Sequence, residues 1–110
     1  MKLKVQKDAH TLKRLICEHY DQYNIINDSK VNDNTYFIVV EKFFYRTSNR
    51  ASLSIVITEF DEYTSIIEAV GAGGGQGWIF KFDWGVKNKF ERAIPNILSQ
   101  NHIQYDLLSE

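Results

Sequence analysis

Polar and apolar residues alternate most regularly between Ala51 and Phe60, where Leu53, Ile55 and Ile57 interleave with Ser52, Ser54 and Thr58. A period of two belongs to a strand with one face buried. Thr35–Arg46, dense in β-branched and aromatic residues, predicts a strand before it, and Arg46–Ala51 reads as the hairpin turn. Asp61-Glu62 reads as a tight turn into a third strand, Tyr63–Val70, and Trp78–Asp83 predicts a fourth.

Helical spacing flanks these strands. Over residues 8–23, Leu12, Leu15, Ile16, His19 and Tyr23 share a stripe, and Asp8 stands where an N-cap carboxylate is needed. Over residues 84–100, Val86, Phe90, Ala93 and Ile97 share a face with Ile94 at its flank. Asp83 would cap this helix, and Pro95 predicts a kink or a break into two short helices. Residues 24–34, rich in Asn, Asp and Ser, read as a connection with an irregular strand near Ile25 and Ile26. Ile103–Leu107 reads as a short edge strand. The prediction is a single α+β domain over residues 1–110, in the order α-β-β-β-β-α: a four-stranded antiparallel meander with an N-terminal and a C-terminal helix on one face, short terminal strands being allowed.

The turns suggest a register. With residues 47–50 as the first loop, Val40 faces Ile57, Phe44 faces Leu53 and Lys42 faces Ile55. With residues 61–62 as the second, Ile57 faces Ile66, Leu53 faces Val70 and Ile55 faces Glu68. One face is then aliphatic (Ile38, Val40, Phe44, Leu53, Ile55, Ile57, Ile66, Val70) and is assigned to the helices. It also carries a row of Lys42, Ile55 and Glu68, which is either a charged pair lining a pocket or the sign of a register error of one. The other face holds Phe37, Val39, Phe43, Tyr45, Val56, Phe60, Tyr63 and Ile67 among Ser52, Ser54, Thr58 and Ser65. Monomers rarely leave so large an apolar patch open to water, so a homo-oligomer through this aromatic outer face is expected, the alternative being that the tail or residues 24–34 fold over it.

Composition narrows the class. The chain has 110 residues, of which 44% are hydrophobic and 25% charged, enough for a packed core. A net charge of −1 gives no global pull towards nucleic acid or an anionic membrane. The longest apolar run, Tyr36–Val40, is far short of the roughly 20 residues a bilayer span needs. The charged first fifteen residues have no signal-peptide pattern, and Cys17 is alone, which together predict a cytoplasmic protein.

All six glycines and both tryptophans fall in residues 71–85. Neither the Walker spacing nor the dinucleotide fingerprint is met, and both need a helix directly after the loop, where a strand is predicted instead. Three readings remain: glycines that shape a wide hairpin or bulge around Trp78 and Trp84, a backbone nest for an anion with Gln76 adding an amide, or a hinged lid. Gly73-Gly74-Gly75-Gln76-Gly77 followed by Phe82-Asp83-Trp84-Gly85 resembles the signature of a small family of uncharacterised bacterial, Bacillus-like proteins of about this length. The resemblance covers roughly residues 66–98. It implies a stand-alone cytosolic domain and no known activity, so it adds no catalytic residue.

The remaining chemistry is sparse. His19 lies on the apolar stripe, where a histidine is more often a core residue than a base or ligand. His10 and His102 sit near element ends. No spacing of His, Cys or carboxylates suits a metal, and Cys17 has no base beside it. Glu59, Asp61, Glu62 and Glu68 cluster around one turn as a solvated surface would. Lys42-Phe43-Phe44-Tyr45-Arg46 with Arg50 interleaves basic and aromatic residues, but alternation splits them between two faces. The expectation is a non-catalytic module that binds a small ligand or a protein at Gly73, Gly74, Gly75, Gln76, Gly77, Trp78, Asp83 and Trp84, with no cofactor, no metal and no membrane. The alternative is a small enzyme with a pocket under that loop, using Asp83, Glu68 or His19. Single-stranded nucleic-acid binding through the Lys42–Arg50 hairpin is a distant third.

Overall fold

The computed structural model describes residues 1–20, 24–44, 49–73 and 92–109. The first strand, β1 (Lys2–Val5), leads into helix α1 (Ala9–His19). Strands β2 (Ile25–Asn32), β3 (Thr35–Phe44), β4 (Asn49–Asp61) and β5 (Thr64–Gly73) follow, and residues 92–100 form helix α2 before β6 (Tyr105–Ser109). The strands make one six-stranded sheet in the order β2-β3-β4-β5-β1-β6, every pair antiparallel. The α+β class and the antiparallel sheet agree with the sequence reading, but the sheet has more strands than the meander predicted. The predicted fourth strand, Trp78–Asp83, lies outside the described residues, as do the first part of the predicted second helix, Tyr23 and the 45–48 connection.

Two strands go beyond the sequence reading, which allows β1 only as a short terminal strand and β2 only as an irregular strand near Ile25 and Ile26. β2 is a full hairpin partner of β3, not a connection: Asp33-Asn34 makes the turn, and Asn32 Oδ1 accepts the Asn34 N–H at 2.8 Å. Its Asn, Asp and Ser residues read as loop because an edge strand with little burial needs no apolar face. β1 pairs with both β5 and β6, and its Leu3 and Val5 are fully buried.

Registers decide which residues meet. Between β3 and β4, Val40 pairs with Leu53 and Ile38 with Ile55, and among the described residues the ladder reaches Phe44–Asn49. The expected Val40–Ile57 pairing is therefore wrong by an even number of residues, which leaves the described side chains of both strands on their expected faces. Between β4 and β5 the error is odd. Ile57 pairs with Ile67 and Ile55 with Ala69, because the ladder carries an irregularity between Glu59 and Asp61, and residues 62–63 form the turn. Asp61 Oδ1 accepts the Tyr63 N–H at 2.8 Å and fixes that turn one residue later than expected. Ile67, Ala69 and Ser65 consequently face the core, whereas Ile66, Glu68 and Val70 face outward, opposite to their sequence assignment. The Lys42–Ile55–Glu68 row does not exist: Lys42 pairs with Ala51, and Glu68 with Val56 and Lys2.

The core lies between one sheet face and the two helices. Ala9, Leu12 and Ile16 of α1 and Ile94, Ile97 and Leu98 of α2 join Leu3, Val5, Ile38, Val40, Leu53, Ile55, Ile57 and Ile67 in one buried cluster. The α2 face is thus set by Ile94, Ile97 and Leu98, and Ala93 is only half-buried. Helical structure runs unbroken through Pro95 over residues 92–100.

Candidate functional site

The predicted glycine site meets the described residues at one point. Gly73 closes β5 opposite Ala51, while Gly74, Gly75, Gln76, Gly77, Trp78, Asp83 and Trp84 lie outside them. Among the described residues no glycine has a positive φ, so Gly71 and Gly73 serve as strand residues, Gly71 standing buried opposite Leu53.

Candidate chemical groups are held apart. His19 is exposed at the end of α1, not part of the core stripe, with its ring edge-on to Tyr20 at 5.0 Å. Helix α1 packs over β3 and β4 on the core side, whereas Glu68 points outward from β5. The sheet separates the two, so they form no common pocket. Glu59 is used structurally: its Oε1 accepts the Ala9 N–H at 3.0 Å. Asp8 adds the N-cap, accepting the Thr11 N–H and hydroxyl at 2.9 Å each. Burial opposes ionisation of Asp8, but these hydrogen bonds outweigh it and hold its carboxyl below the usual value. Arg50 is paired with Glu41 at 2.9 Å, which removes one cation from the basic-aromatic hairpin.

A polar cluster that sequence spacing did not reveal lies where α1 crosses β2 and β3. Lys13 Nζ is 3.1 Å from Asp28, Tyr36 Oη is 3.4 Å from His10 Nδ1, and Lys30 Nζ lies 5.7 Å from the Tyr36 ring centre. The hydrogen bond from Lys13 to Asp28 raises the lysine pKa. Cys17 is half-buried, and burial followed by the Asp28 charge pushes its thiol up, away from the reactive thiolate. Burial pushes the Tyr20 phenol up to about 12. The strand pairing of Asp28 with Ile38 and Lys30 with Tyr36 assembles this cluster, and that pairing was hidden while β2 read as a loop. Among the described residues no three His, Cys, Asp or Glu side chains are grouped to hold a metal ion, and no helix is long and apolar enough to cross a membrane.

The outer sheet face carries several apolar residues. Val56 lies centrally, paired with Phe37 and Glu68, with Val39, Ile66 and Val70 at neighbouring outward positions. Both described helices bury their apolar residues on the opposite side. Val70 is 58% exposed, and Phe43 41%. Lys2, Lys4, Glu68 and Asp106 border the patch, Lys2 beside Glu68 and Lys4 beside Asp106.

A protein-family model matches residues 30–102, from β2 to the end of α2, and covers the glycine-rich stretch. The chain belongs to the DUF6054 family of unknown function. No curated protein and no solved structure matches it. Membership in DUF6054 agrees with the expected small uncharacterised family and brings no catalytic or ligand-binding assignment to any residue of the chain.

Proposed function

We propose that this DUF6054 protein is a non-catalytic binding module, homodimeric through the outer face of its sheet. The supporting observation is the patch around Val56, which lies on the face opposite both described helices. Its size suits the purpose. Six strands of four to thirteen residues, at about 4.8 Å spacing and about 3.3 Å per residue, give a face of roughly 800 Å², near the ~800 Å² per partner of a standard interface. Its border carries charges of both signs, Lys2 beside Glu68 and Lys4 beside Asp106, so a symmetric partner meets no single-sign repulsive field there. Light scattering on a sizing column tests this: the native chain runs as a dimer, and Val56→Lys as a folded monomer. A native monomer at tens of micromolar ends the dimer reading.

The glycine-rich stretch, with Gly73, Gly74, Gly75, Gln76, Gly77, Trp78, Asp83 and Trp84, is the proposed seat of a small ligand or protein, in a bacterial, cytoplasmic setting. A thermal-shift panel of anions, nucleotides and sugar phosphates checks it. One anion class raises the melting temperature of the native chain but not of folded Gly75→Val. A flat panel leaves the stretch a structural role.

A further inference from the structure

The two edges of the sheet differ in kind. At one edge, β2 shows register shifts between Ile25 and Asn27 and between Lys30 and Asn32, and it carries Asn27, Asp28, Ser29, Lys30 and Asn32. Irregular pairing with polar and charged side chains deters strand addition. At the other edge, β6 reads Tyr-Asp-Leu-Leu-Ser, and its Leu107 and Leu108 are 52% and 50% exposed.

The backbone of β6 alternates in a definite phase. Met1 and Ala69 exchange both of their hydrogen bonds, at 2.9 and 2.8 Å, which turns the backbone groups of Met1, Leu3 and Val5 towards β5 and those of Lys2, Lys4 and Gln6 towards β6. The Gln6 N–H accordingly donates to the Gln104 carbonyl at 2.9 Å. Gln104 and Asp106 therefore direct N–H and C=O at β1, and Tyr105 and Leu107 direct theirs away from the sheet. Among the described residues no strand pairs with that side. Beside it, Gln6, Ile103, Gln104, Tyr105 and Asp106 line an open depression of about 330 Å³.

We propose that the outer edge of β6 docks one extended strand of a partner protein, which pairs antiparallel with the backbone of Tyr105 and Leu107. The strand is apolar opposite Tyr105 and Leu107 and cationic opposite Asp106, and one of its side chains enters the depression. A second copy of the chain fits this edge less well. Five residues span roughly 17 Å, far too little for the ~800 Å² per partner that a stable dimer buries, whereas strand addition draws its affinity from backbone hydrogen bonds. The outward backbone groups of Tyr105 and Leu107 point along the sheet rather than out of its face, but Asp106 borders that face, so the test is run on both the native chain and Val56→Lys.

The probe is the blocked heptapeptide Thr-Val-Thr-Val-Lys-Val-Thr, titrated into the ¹⁵N-labelled full chain and followed by amide shifts and hydrogen exchange. Shifts confined to β6 and the adjoining β1, with at least tenfold slower exchange of the Tyr105 and Leu107 amides, are expected, and β2 is unchanged. Glutamate in place of the peptide lysine weakens binding at least threefold. Leu107→Pro removes an outward donor and a half-exposed side chain but no ladder bond, so it folds with a melting temperature close to that of Leu107→Ala and, unlike Leu107→Ala, loses the response at least tenfold. Asp106→Pro removes a ladder donor and melts lower. N-methylation of the central peptide valine abolishes the response without any change to the protein. No response at millimolar peptide overturns the proposal, as does an undiminished response in Leu107→Pro. Protection of Tyr105 and Leu107 in the free dilute protein also overturns it, because the edge is then filled from within the chain. Protection that rises with protein concentration alone overturns it in favour of a second copy.

Discussion

Ile57 and Ile67 stand opposite each other across the β4–β5 ladder, and both are fully shielded from solvent. Their neighbour Ile66 points the other way. Ile67→Ala therefore costs about 2–5 kcal/mol of stability, as large-to-small core changes do. Ile66→Ala costs under about 1 kcal/mol in the monomer. Urea unfolding of both variants checks this, and equal losses would show that the strand sits in the other register.

The start of α1 is held by two carboxylates from different elements, Asp8 on Thr11 and Glu59 on Ala9. Asp8→Ala loses about 1 kcal/mol, the usual worth of an N-cap. Because the folded-state pKa of Asp8 lies below its ordinary 3.8, its ionised-state stabilisation is present above that value and is lost as pH falls through the folded pKa. Asp8→Asn keeps a capping oxygen and flattens that part of the acid limb. Thermal melts from pH 5 to pH 2 compare the three proteins, and an acid limb identical in Asp8→Asn refutes the assignment.

Tyr20 produces a dependence of opposite sign at high pH. Its phenol titrates at about 12 in the folded chain against an ordinary 10. Its contribution is complete below pH 10 and declines as pH rises towards 12, because the unfolded chain releases the proton first, at a limiting slope of about 1.4 kcal/mol per pH unit. Denaturant midpoints between pH 9 and pH 11.5 fall less steeply in Tyr20→Phe. Parallel slopes in the two proteins would count against burial as the cause.

Ser65 is a polar residue inside the core, and its Oγ donates to the Lys7 carbonyl at 2.7 Å. This bond ties the β1–α1 connection to β5. Ser65→Ala leaves that carbonyl without its donor and costs about 1–3 kcal/mol. Faster amide exchange at residues 6–9, measured alongside chemical unfolding, distinguishes local release from a general loss of stability.

Much of the candidate function depended on what alternation can and cannot encode. Outward positions of β3 and β4, including Phe37, Val39 and Val56, were legible because an even slip in register leaves faces unchanged. The outward place of Ile66 and Val70 was not, because the irregularity near Phe60 inverts every residue after it. The Lys13–Asp28 and His10–Tyr36 contacts needed the β2 hairpin, whose polar edge has no apolar period to read. The β6 edge was expected as a short strand, but its outward backbone phase comes only from its pairing with β1.

The sequence alone determined the local elements: α1 with its Asp8 cap, the apolar α2 segment, and the strands β3, β4 and β5, since the period of apolar positions and the chemistry of one cap act over a few residues. Tertiary structure decided which strands are neighbours, the insertion of β1 between β5 and β6, and the inward turn of Ile67, Ala69 and Ser65. Periodicity carries no information about distant partners. The choice among registers of equal period is made by burial and backbone hydrogen bonding, which exist only once the strands have met.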